Sequence, residues 1–281
     1  MLPDDPELKP QYRMPRVFGA LPGPRNVPRS RQHLPNRQHN LVLSVTARSD
    51  ADALGALLPP GCELDGEPLL TVNLNFMSNI GWLAGRDYAI LTVLLNIRHQ
   101  SRARGLLRGT FMPVLWENLA DPIITGRDEL GFSKLYADLP PPVIVGDDYA
   151  GRALWLGFRF CDLEVRGARE VDASPAPPTG AFQYKYLPRT GQLDRPDVEQ
   201  LEYCEPGQSA AGYAPLALVR KWSGAGRFEF QHARWEDMPF QYPVINALAA
   251  LPLHEFRSAT VSRFEARGVI GDPAAGALQP L

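Results

Sequence analysis

"ALWLGFRFCDLEVRGARE", residues 153–170, alternates apolar and polar side chains for most of its length. A period of two is the pattern of a half-exposed strand, whose successive side chains point to opposite faces of a sheet. On its N-terminal side, "NLVLSVTA" (40–47), "PLLTVNLNFM" (68–77), "YAILTVLLNIR" (88–98) and "GLLRGTFMPVLW" (105–116) are rich in β-branched, aromatic and leucine residues, with turn residues between them. On its C-terminal side, "GAFQYKYLPR", "VEQLEYCEP", "GRFEFQHARW" and "HEFRSATVSRFEARGV" continue the pattern. Helical signals are few. "SDADALGALL" begins with a cap at Ser49 or Asp50, and "PVINALAAL" (243–251) carries proline at a plausible first helical position. The segment "RDELGFSKLYADL" reads as a helical turn or a loop with a short helix. Many strands at short spacing predict a mostly β (α+β) fold, a largely antiparallel sheet that closes or packs on itself.

The chain has 281 residues, 44% hydrophobic and 21% charged, with a formal net charge of -2. Such a balance is that of a soluble globular protein and offers no footprint for nucleic acid or for a membrane surface. The longest apolar run, "AILTVLLNI" (89–97), is too short to span a bilayer. The 28 prolines, about double the usual ~5%, disfavour long helices. Three cysteines without close spacing provide neither a disulfide framework nor a zinc pattern, consistent with a cytoplasmic protein. Residues 1–38, rich in proline, arginine and polar side chains, are expected to form an extended N-terminal arm. A single domain is expected over 39–272 and a short tail over 273–281. "SGAGRF" (223–228) reads as a turn opening a strand.

Familiar catalytic patterns are missing. The five histidines have no zinc-site spacing, and neither a G-x-S-x-G elbow nor a phosphate-binding glycine loop occurs. No metal or cofactor is expected. What remains is a lysine amine. A free lysine, with a pKa near ~10.4, is neutral about once in a thousand near pH 7.4, so attack on a carbonyl requires that value to fall. Desolvation or a neighbouring cation can lower it. Around Lys134, apolar bulk comes from Phe132, Leu130, Leu135 and Tyr136, and Arg127 lies seven residues upstream.

"WENLADPIITGRDELGFSKLYADLP" (116–140) resembles the active-site segment of the acetoacetate decarboxylase superfamily, with Gly126, Arg127, Asp128, Phe132 and Lys134 matching in order and spacing. "RSDADALGALLPPGCEL", "FQYKYLPRTG" and "ARWEDMPFQYPVINALAALPLHE" extend the resemblance from about residue 40 to about 260, and "YRMPRVFGALPGPR" resembles the leader of the family's longer members. The resemblance implies an antiparallel β-barrel or cone with a few short helices, a homo-oligomer, and Lys134 as the Schiff-base lysine. Two departures weigh against simple acetoacetate decarboxylation. The second lysine that follows the nucleophile in true decarboxylases is Leu135 here, and the family's acidic pocket positions fall on Asn73 and, more loosely, Gly85.

The same imine supports aldol and dehydration chemistry on a 2-oxo acid such as pyruvate, as some longer members of the superfamily perform. For that reaction Arg127 is the candidate clamp for the substrate carboxylate, against a structural pairing with Asp128 or Glu117. Glu255 is the candidate acid/base, against a strand-edge carboxylate. Gln241, Tyr242 and Trp82 are candidate pocket residues, each of which core packing explains equally well. Glu117 is expected to fix the loop, and His254 and His99 to be structural. The alternatives are decarboxylation of a 3-oxo acid and a barrel that binds a small ligand without turning it over. With Leu135 in place of a cation, desolvation has to lower the Lys134 pKa, and Lys134→Met is expected to raise the melting temperature at neutral pH.

Overall fold

The computed structural model describes residues 27–208 and 216–270, together with Met14, residues 16–18 and residues 279–281. Most of the expected N-terminal arm and C-terminal tail lies outside these. After a single 3-10 turn (Arg16–Phe18) come a short helix α1 (Arg29–Gln32) and strand β1 (His39–Arg48), followed by α2 (Ala51–Gly55), β2 (Cys62–Leu64) and β3 (Leu69–Ile80). Next come β4 (Arg86–Ser101), β5 (Gly105–Phe111), β6 (Leu115–Glu117), α3 (Ala120–Leu130) and β7 (Lys134–Tyr136). A run of strands follows: β8 (Val143–Val145), β9 (Asp148–Trp155), β10 (Phe158–Val171), β11 (Gly180–Arg189), β12 (Gln192–Cys204) and β13 (Leu216–Phe230). Helix α4 (Tyr242–Ala249), β14 (Glu255–Ala266) and the two-residue β15 (Gln279–Pro280) complete the order.

All fifteen strands belong to one sheet, and the pairing is antiparallel except between β5 and β11 and between β6 and β7. Its main path runs β15-β12-β11-β5-β4-β3-β1-β14-β13-β10-β9-β8. The strand content and antiparallel pairing are those expected, but the sheet is open rather than closed into a barrel or cone. The β11–β12 hairpin occupies the edge beyond β5 and carries β15, and at the opposite end of the path β8 pairs, among the described residues, with β9 alone.

Register explains the core. Leu43, Leu74, Leu91, Trp116 and Leu135 stand opposite one another on β1, β3, β4, β6 and β7 and point to one face. The first four are completely buried, and Leu135 packs against the same core. Phe160, Leu163 and Val165 of β10 join them. Burial of each such side chain contributes about 1.5–3 kcal/mol, which drives the sheet together.

Two long stretches split where the backbone requires it. The opening segment is a hairpin rather than one strand, reversing at Leu156 (φ 46°) and Gly157 (φ 91°). Two positive φ values in succession suit the twist of a tight hairpin. The stretch 105–116 breaks around Pro113 into β5 and β6. "SGAGRF" is no turn but lies inside β13; a Cβ at Gly226 would stand 2.3 Å from the Cβ of Ala259 and 2.9 Å from the carbonyl of Glu164. Glycine there permits close approach of neighbouring strands.

Candidate active site

Helix α3 starts seven residues before the charged "RDEL" and takes Pro122 into its first turn, where a missing N–H costs nothing. It ends at Gly131, whose φ of 71° favours glycine. The carbonyl of Gly126 accepts hydrogen bonds from the N–H groups of Gly131 and Phe132. This closure turns the chain back on its own helix and lays Lys134 against Gly126. A Cβ at Gly126 would sit 2.3 Å from Cε of Lys134 and 2.6 Å from its Nζ, so glycine makes the room that the lysine occupies. Lys185 supports the helix end from β11, donating to the carbonyls of Asp128 and Glu129.

Lys134 opens β7 and stands opposite Leu115 of β6. One residue over from the core row, its own row is Ser44, Asn73, Thr92, Leu115 and Lys134, all facing away from the Trp116 side. Glu117, two residues after Leu115, shares that face. The two charged side chains therefore meet: Nζ of Lys134 donates to Oε1 of Glu117 at 2.8 Å and to the Pro122 carbonyl at 3.0 Å. Nζ also lies 5.3 Å from the Phe132 ring centroid. The side chain of Glu117 is fully buried and that of Lys134 keeps 11% of its surface exposed.

Burial governs both groups. It lowers the pKa of the Lys134 amine, against the opposing pull of Glu117, and raises that of the Glu117 carboxyl, against the opposing pull of Lys134. Burial thus works against the charged form of both groups, and each partner's charge works for the other's. Among the described residues, Oε2 of Glu117 is buried with no hydrogen-bond partner. The Oδ1 atoms of Asn73 and Asn75, on the same sheet face, are likewise without partners, as are both amide atoms of the fully buried Gln183. Unsatisfied buried polar atoms are costly, and such a face suits hydrogen bonding to a ligand.

The sequence-predicted residues distribute unevenly around this pair. Arg127 is exposed, and its Nη1 donates to the main-chain carbonyl of Lys134 at 2.8 Å rather than pairing with Asp128 or Glu117. It lines a cavity of about 220 Å³ with Pro113, Phe132, Leu135, Tyr184 and Val244. Gln241 is buried; it accepts from Trp116 Nε1 at 2.7 Å and donates to the Tyr136 carbonyl at 3.1 Å, tying the start of α4 to β6 and β7. Tyr242 packs against the core, and Trp82 stacks edge-on with Tyr88 in a smaller cluster that also includes Leu119. Glu255 is exposed at the start of β14 and pairs with Arg257. In the sheet, β4, β3 and β1 lie between β6 and β14. His254 bonds Asp50, and His99 bonds the Gly61 carbonyl.

Glu117 is the residue that sequence reasoning misplaced. Its carboxylate holds the amine, and its distance of 17 residues from Lys134 hid the pairing. Two larger cavities, of about 630 and 690 Å³, share Asn118, Leu139 and Pro141, and Lys134 lines neither of them.

Comparison with known proteins agrees with this fold. No curated protein matches the chain in sequence. In structure it is similar to an acetoacetate decarboxylase from Legionella pneumophila (TM-score 0.62, 19% identity, 87% of this chain and 85% of that one). It is also similar to an acetoacetate decarboxylase-like enzyme from Sphingomonas wittichii RW1 (TM-score 0.63, 17% identity, 89% and 93%). A third similar structure is the enduracididine biosynthesis enzyme MppR complexed with pyruvate (TM-score 0.61, 20% identity, 87% and 90%). MppR has also been seen with the condensation product of pyruvate and imidazole 4-carboxaldehyde. At these identities the likeness establishes the fold. The family described as acetoacetate decarboxylase (ADC) matches residues 22–263, which span the α3 turn, Lys134 and Glu117, and the chain belongs to that family.

Proposed function

We propose that the protein is a lyase in which Lys134 forms an imine with a 2-oxo acid such as pyruvate and carries out aldol addition or cleavage, dehydration, or both. The observation that carries this reading is the Lys134 amine held beneath α3, where burial lowers its pKa and a carboxylate stands 2.8 Å away to take its proton. Neutral amine is the nucleophile, and each pKa unit of depression increases it about tenfold. Pyruvate is the favoured partner because MppR, of similar fold, binds pyruvate and a condensation product of pyruvate with an aldehyde.

Decarboxylation of a 3-oxo acid ranks second. Its usual second lysine is Leu135, which faces the Trp116 core and leaves desolvation to lower the Lys134 pKa. A homo-oligomer, with Arg127 engaging a substrate carboxylate after releasing the Lys134 carbonyl, belongs to the same proposal. Borohydride trapping tests it, with intact mass, peptide mapping and Lys134→Ala as control. A pyruvate adduct on Lys134 supports the reading. An adduct with acetoacetate alone, and carbon dioxide release, would favour decarboxylation. Ligand protection without any adduct would leave a binding protein.

A further inference from the structure

Imine formation needs one group to take a proton from the lysine and to return one to the departing oxygen. Glu255 is poorly placed for this: it is exposed, paired with Arg257, and separated from β6 by three strands of the sheet. Glu117 touches the amine itself. One of its oxygens holds Nζ, and the other is buried with no partner. The charged groups that shift Lys134 and Glu117 are each other; α3 presents the Pro122 carbonyl, and the Arg127 guanidinium is turned to the main chain of Lys134.

We propose that Glu117 is the acid/base catalyst of imine formation at Lys134, and that its free Oε2 receives the substrate oxygen as that oxygen becomes a hydroxyl and then water. This rests on the Schiff-base reading above. The ammonium first passes a proton to Glu117, giving neutral amine and neutral carboxyl. The amine lone pair attacks the carbonyl carbon, the C=O π pair moves to oxygen, and Glu117 donates its proton there. The new N–C bond leaves an N–H proton to spare, which returns to Glu117. Glu117 then protonates the hydroxyl, the C–O bond breaks with its electron pair on the departing water, and the nitrogen lone pair completes the iminium. Iminium and carboxylate replace ammonium and carboxylate, so the buried site ends with the charge it started with. A low-dielectric site favours such a charge-neutral exchange.

The test is the rate of adduct formation with pyruvate under cyanoborohydride, followed by intact mass and mapped to Lys134, with thermal melts checking the fold of each variant. Glu117→Gln is expected to form adduct about 10²-fold or more slowly, within the usual range for acid–base catalysis. This slowing is diagnostic because removing the anion also frees more neutral amine. Formate is expected to accelerate Glu117→Ala, whose cavity admits a small acid, and to leave Glu117→Gln unchanged. Wild-type adduct with a Gln variant as fast or faster would overturn the proposal and make Glu117 a brake on the amine. Should Glu117→Gln misfold, absence of formate rescue in Glu117→Ala overturns it equally. No adduct on the wild type would remove the Schiff-base reading, and this proposal with it.

Discussion

Lys134 and Glu117 each constrain what may be done to the other. Seen without its partner, a buried lysine destabilises the fold, and Lys134→Met is expected to raise the melting temperature at neutral pH. The Glu117 carboxylate reverses that expectation. With Lys134 gone, the fully buried carboxyl has lost the one cation that lowers its pKa. Its folded pKa then lies above the unfolded value of about 4.3, so its stabilising contribution is present below that pH and is lost as pH rises through the folded value. Lys134→Met should therefore be less stable than wild type at pH 7, by about 3–5 kcal/mol, with the gap closing towards pH 5. Lys134→Met combined with Glu117→Leu should be flat across that range and equal to wild type or more stable by about 1–4 kcal/mol. Denaturant melts at the two pH values check both. A single variant as stable as wild type at pH 7 would show that the Glu117 carboxyl keeps an ordinary pKa once the lysine is gone.

Helix α3 and the β9–β10 hairpin show how local chemistry sets an element and tertiary contact sets its purpose. Gly126→Ala gains about 1 kcal/mol of helix propensity but places a methyl 2.3 Å from Lys134 Cε, and overpacking of that kind costs about 1–3 kcal/mol. The flexible lysine yields before the helix does. The expected outcome is a modest loss in denaturant stability with a large loss of pyruvate adduct, read on the same preparation. At the hairpin, Leu156 has a φ of 46° and is 77% exposed, a strained backbone without a burial gain. Leu156→Asn should stabilise the protein by up to about 1 kcal/mol, since asparagine tolerates the left-handed region, and thermal melts measure it. A fall in stability would mean that the leucine side chain packs against something in solution.

The open sheet has consequences for the whole molecule. Its terminal strand β8 carries Val143, Ile144 and Val145 at 47%, 51% and 69% exposure, with no charged side chain in the strand. Among the described residues β8 has no outer neighbour in the sheet, and an apolar edge of that kind pairs readily with another chain. Ile144→Lys should therefore reduce concentration-dependent light scattering while leaving the unfolding free energy within about 1 kcal/mol of wild type. Unchanged scattering would show that this edge is covered. No helix among the described residues is long and apolar enough to cross a membrane.

Strand content was legible because a period of two survives in any sheet, whatever its partners: β1, β3, β4, β11 and β14 lie where alternation and turn residues put them. The Gly126–Gly131–Lys134 spacing was equally local, being the chemistry of one helix end folding back on itself. Contacts between distant segments were beyond that reach. The reversal at Leu156 lacks the usual asparagine or aspartate, so nothing but β9–β10 pairing betrays it. Arg127 turns to a backbone carbonyl because α3 lies across β7. By itself the sequence determined the strands, the helix-end turn and the choice of Lys134 as the candidate lysine, all of which arise from residues close together in the chain. Only the tertiary structure decided which carboxylate faces that lysine, because a parallel pairing of β6 with β7 sets two residues on one face and no periodicity encodes a register between strands.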